Sequence, residues 1–121
     1  MPVILVLDDD GAARDALVAT LRALFTHARV VAARAEAGLE VAAREGARLV
    51  LASLPAAERL CREGAPPGVP VVALTREMSP DTLLRVEDLG MAGALRAPAG
   101  AEQLAAVLGP MLGPPPSRDL R

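Results

Sequence analysis

The run Val3-Ile4-Leu5-Val6-Leu7 leads without a break into Asp8-Asp9-Asp10-Gly11. Five consecutive apolar residues without alternation read as a strand covered on both faces, as a central strand of a parallel sheet is. The change from apolar to acidic marks its carboxyl end. Open α/β sheets hold ligands there, in the crevice beside a topological switch point, so the three carboxylates are the first candidate site.

Outward from this strand, Ala12 to Phe25 places Leu17, Leu21, Leu24 and Phe25 on one helical face. Asp10 then stands where a helix N-cap belongs, while Asp8 and Asp9 precede that position. Arg29 to Ala33, with Val30-Val31, reads as a second strand, and Glu36 to Arg44 as an Ala-rich helix that Gly46 stops. Arg48 to Ser53 is a third continuous apolar strand, ending at Ser53-Leu54-Pro55 and followed by a brief helix from Ala56 to Arg62. Beyond the loop Gly64-Ala65-Pro66-Pro67-Gly68, Val69 to Leu74 forms a fourth strand that ends at Thr75. Ser79-Pro80-Asp81 combines a capping hydroxyl, proline at the first helical position and an acid in the first turn, so a helix starts there and runs to about Leu89. Ala94-Leu95-Arg96 is a short fifth strand before Ala97-Pro98, and Ala101 to Leu112 is the last helix, with Leu104, Val107, Leu108 and Met111 on one side.

Five strands alternating with five helices predict an α/β fold: a doubly wound parallel sheet with helices on both faces and right-handed crossovers. The ends of strands one, three, four and five then bring Asp8 and Asp9, Ser53, Thr75 and Ala97-Pro98 to one rim.

Composition narrows the function classes. At 121 residues the chain fits one domain, and a chain of this length buries roughly two-thirds of the surface it exposes when unfolded. Phe25 is the only aromatic residue, so base stacking has no platform. A formal charge of -2 gives no field for nucleic acid or a membrane surface. No apolar run approaches the roughly 20 residues of a membrane helix, and Met1-Pro2 passes straight into a strand without a signal-like segment, so the expected location is cytoplasmic. All 13 basic residues are arginine. No site here can use a compact ammonium, for which a guanidinium is no equivalent. Cys61 is alone, which excludes an internal disulfide and fits a small buried hydrophobe.

Three segments resemble the receiver domain of bacterial response regulators, over Pro2 to Leu112. Ile4-Leu5-Val6-Leu7-Asp8-Asp9-Asp10, with Arg14 beyond it, is similar to the receiver's first strand and acidic pair. Val69 to Thr75 is similar to its fourth strand ending in a hydroxyl residue, and Leu89 to Pro98 to its fifth strand and lysine-proline turn. The resemblance implies a flavodoxin-like sheet of strand order 2-1-3-4-5, with residues 1–112 as the domain and 113–121 as a disordered Pro-rich tail. It also implies a role in two-component signal transduction.

The same resemblance locates three departures. Receivers accept a phosphoryl group on an aspartate at the end of the third strand, where this chain has Ser53. A neutral hydroxyl needs a nearby base to act as nucleophile and binds Mg²⁺ weakly, and His27, the only histidine, follows the first helix. Ala97 replaces the lysine that would neutralise phosphoryl oxygens, and Arg96 beside it points to the opposite face. Ala94 replaces the switch aromatic, and the segment from Ser53 to Thr75 lacks the usual loop after the acceptor. The expectation is a degenerate, phosphorylation-incompetent receiver that is not an enzyme and requires no cofactor, with at most weak Mg²⁺ binding by Asp8 and Asp9.

Such a domain would act by binding a signalling protein, or a second copy, through its fourth helix, fifth strand and fifth helix. Leu83, Leu84, Val86, Leu95, Leu104 and Val107 are the candidate contacts. Two other readings compete. One is a working phosphorelay receiver whose acceptor has moved to Asp8, Asp9 or Asp10. The other is a small-ligand domain that draws an anion to Gly11 and the first helix N-terminus, which the adjacent carboxylates oppose.

Overall fold

The computed structural model describes residues 1–113; the rest of the expected tail, from residue 114 onward, lies outside the described residues. Its elements are β1 (Val3–Leu7), α1 (Gly11–Leu24), β2 (Arg29–Ala33), a single 3₁₀ turn (Ala35–Ala37), α2 (Gly38–Glu45), β3 (Leu49–Ser53), α3 (Leu54–Glu63), β4 (Val71–Thr75), α4 (Pro80–Asp88), β5 (Gly93–Arg96) and α5 (Ala101–Leu112). The five strands form one parallel sheet in the order β2-β1-β3-β4-β5, as the receiver resemblance implies.

All of β1 is buried because alternate residues enter two separate cores. Leu5 and Leu7 pack with Val41 of α2, Leu60 of α3 and Val86 of α4. Ile4 and Val6 pack on the other face with Leu21 of α1 and with Leu104 and Leu108 of α5. Each fully buried aliphatic side chain of this size contributes roughly 1.5–3 kcal/mol relative to exposure. Phe25 closes the α1 side, its ring meeting His27 edge-on at 6.4 Å between centroids. Cys61 packs at the margin of the other core, where burial raises its thiol above the ordinary value.

Three element starts differ by two residues from the sequence expectation. The segment expected to begin a helix at Glu36 instead makes the 3₁₀ turn first, and α2 starts at Gly38. Helix α3 starts at Leu54 and takes Pro55 into its first turn, where a missing N–H costs nothing. Strand β4 starts at Val71, because Pro70 has no N–H to give to a ladder, although its carbonyl still accepts from Val50. Gly46 ends α2 at a φ of 64°, in the left-handed region that suits glycine.

The proposed contact surface is also redrawn. Val86, Leu95 and Leu104 belong to the cores and Val107 packs against one of them, while Leu83 and Leu84 on α4 are 48% and 58% exposed. Helix α4 is tied to α3 by Glu58, a nearly buried carboxylate that accepts from Arg62 at 3.3 Å and Arg85 at 3.2 Å. Glutamate is rarely buried unless paired in this way.

Candidate functional site

The β1 exit holds the acid triplet, and each carboxylate there accepts a backbone N–H. Asp10 caps α1 by accepting from Ala13 N–H at 3.1 Å, so it is an N-cap. Asp8 accepts from Asp10 N–H at 2.9 Å, and its own carbonyl accepts from the Arg14 guanidinium at 2.8 Å. Asp9 turns the other way. It accepts from Ala35 N–H at 2.9 Å and faces Arg34 Nε at 3.9 Å, joining the β1 exit to the corner after β2.

The neighbouring exits are electrically quieter. Ser53 ends β3 and is the N-cap of α3, which begins at the next residue, but its side chain makes no capping bond. The loop that receivers place after the acceptor is therefore absent here, as the short spacing implied. Thr75 closes a local turn: its hydroxyl accepts from Glu77 N–H at 3.3 Å and donates to Glu77 carbonyl at 3.0 Å. Ala97 donates its N–H to Thr75 carbonyl at 2.8 Å and joins Pro98 through a cis peptide bond. Ala94 pairs with Ala73 inside the sheet, against the α2–α4 core.

These exits surround a groove of about 740 Å³. It runs from Asp8 and Asp10 past Ser53 to Thr75, with Leu17 of α1 and Leu74 as apolar wall and Ala97 and Pro98 opposite. The acid triplet is thus divided, since Asp8 and Asp10 line the groove and Asp9 does not. The arginine that lines the groove is Arg76, whereas Arg96 does not line it. Arg76 is the first residue beyond the β4 exit.

A divalent centre needs several oxygen ligands converging on one point. Asp9 is committed to the β2 corner, the third-strand position carries a neutral hydroxyl, and no three His, Cys, Asp or Glu side chains converge among the described residues. A site built from three protein carboxylates is therefore not formed among the described residues. No imidazole reaches the rim either, since His27 sits beyond the far end of α1.

The same architecture occurs in solved structures. Chemotaxis protein CheY4 of Vibrio cholerae superposes with a TM-score of 0.78 at 20% identity, over 92% of this chain and 98% of that one. A response regulator protein from Burkholderia multivorans gives 0.72 at 26% identity, over 97% and 99%. A protein from Burkholderia pseudomallei described as pilus assembly-related gives 0.77 at 23% identity, over 98% and 95%. No family model matches the chain, and no curated protein matches its sequence. What the strand order, the rim and these superpositions share is one architecture, and the chain has the fold of response regulator receiver domains.

Proposed function

We propose that this chain is a signalling module that binds a protein partner constitutively, without a phosphorylation switch. The observation that carries the reading is the β3 exit, where Ser53 stands at the acceptor position and α3 begins at Leu54. A serine hydroxyl becomes a nucleophile only when a base takes its proton, and a receiver-type transfer also needs a metal and a cation at the phosphoryl oxygens. Here Asp9 is engaged elsewhere and the β5 exit offers Ala97. On this reading the chain is a cytoplasmic non-enzyme that needs no cofactor. Leu83 and Leu84, with Met1 the exposed large apolar side chains among the described residues, are its first partner contacts, whether to another protein or to a second copy. The pilus assembly-related description of one neighbour is compatible with a receiver fold serving assembly.

The test is intact mass after incubation with Mg²⁺ and acetyl phosphate, for the parent chain and for Ser53→Ala, Asp8→Asn, Asp9→Asn and Asp10→Asn. The expected result is no added phosphoryl group on any of them. A stoichiometric adduct on the parent that disappears in one aspartate variant would replace this reading with a working receiver whose acceptor has moved.

A further inference from the structure

We infer that the rim groove docks a partner segment that carries a basic side chain at one end, an acidic side chain at the other and an aliphatic residue between them. This rests on the partner-binding reading above and adds a second contact site to the one at Leu83 and Leu84. Among the described residues Arg14, Arg22, Arg48 and Arg96 stand in no ion pair, while Arg29, Arg34, Arg44, Arg59, Arg62 and Arg85 do. The three charged side chains of the groove do not: Asp8, Asp10 and Arg76 line it with no oppositely charged side chain within ion-pair distance among the described residues. Asp8 and Asp10 each accept one N–H through Oδ1 and keep Oδ2 free of a described donor.

The two signs are separated by the sheet itself. Asp8 and Asp10 leave β1, Arg76 leaves β4, and β3 lies between those strands. Strands about 4.8 Å apart put the two exits roughly 10 Å from each other, which is about three residues of extended chain. Ser53, at the β3 exit, is the small residue between them, and Leu17 and Leu74 add apolar surface to the lining. A groove of about 740 Å³ also falls within the roughly 300–1,000 Å³ of ordinary ligand clefts. Carboxylates alone would draw any cation. Arg76 adds the opposite sign at the other end, so complementarity selects a dipolar guest and fixes its direction, with the cation over β1 and the anion over β4.

The experiment is an amide chemical-shift titration of the whole chain with acetyl-Lys-Leu-Ala-Glu-amide, with intact mass after acetyl phosphate and Mg²⁺ measured on the same preparation. Shifts at Ala13, Leu17, Ser53, Leu74 and Arg76 are expected, and smaller ones with the probe whose charged residues are both glutamine. Arg76→Gln should weaken binding about fivefold, the upper range for a solvent-accessible ion pair, yet leave unchanged the probe in which only the glutamate is replaced by glutamine. Asp8→Asn combined with Asp10→Asn should act on the lysine end alone, because asparagine still caps a helix. Equal shifts from the neutral probe, shifts confined to α4 and α5, or no response to these variants would overturn the groove assignment. A phosphoryl adduct would overturn the switchless reading instead. Absence of both adduct and shifts would remove the groove assignment and leave that reading standing.

Discussion

The exits of β1 and β3 lie side by side in the sheet, yet they carry charge in opposite ways. At β1 three consecutive aspartates are kept, and every one accepts a backbone N–H: Asp8 from Asp10, Asp9 from Ala35 and Asp10 from Ala13. At β3 a single hydroxyl passes into a helix without capping it. Each of these acids is therefore tied into the backbone that shapes the rim. The third-strand exit carries a hydroxyl and no carboxylate, so the two exits share one rim but not one chemistry, and the fold by itself does not assign a function to either.

The sharpest way to break this contrast is to remove the acid with the longest reach. Asp9→Ala leaves the Ala35 N–H without its acceptor in a partly buried corner, a loss of about 2 kcal/mol. Asp9→Asn, whose amide oxygen still accepts, should recover more than half of it. Urea denaturation midpoints measure both, and an Asp9→Ala variant as stable as the parent would mean that the β1 acids do not hold the rim. Asp10→Ala comes next, at about 1 kcal/mol for a lost N-cap, with Asp10→Asn close to the parent. If asparagine costs as much as alanine there, the charge matters more to stability than the capping bond does.

Much of this was legible in the sequence because the hydrophobic pattern and the caps are local. The uninterrupted run Val3–Leu7 requires cover on both faces, and Ser79-Pro80 announces α4, whose cap bond to Thr82 N–H is present at 3.2 Å. The direction of Asp9 was not legible. Its partner Ala35 is 26 residues away, and only the β1–β2 register brings that N–H within reach. The same holds for Glu58, whose burial depends on Arg85 from the next helix but one strand on. Arg76 was not legible for another reason: the resemblance places its cation at the position of Ala97, whereas the arginine that lines the groove is the first residue beyond β4. Of the candidate contacts, α4 separated Leu83 and Leu84 from Val86 by helical phase, a distinction that a list of apolar residues does not make.

The smallest expected effect tests the other half of the contrast. Ser53 is an N-cap by position, and an N-cap serine that bonds its helix is worth about 1 kcal/mol over alanine. Here its side chain makes no such bond. Ser53→Ala should therefore change stability by less than about 0.5 kcal/mol, the range of substitutions that break no identified interaction. The alanine methyl occupies no more room than the hydroxymethyl it replaces, so the groove and the first turn of α3 stay as they are. The same urea titration decides it. A loss near 1 kcal/mol would mean that the hydroxyl caps α3 in solution, making the β3 exit scaffolding of the same kind as the β1 exit, with the two differing in charge but not in role.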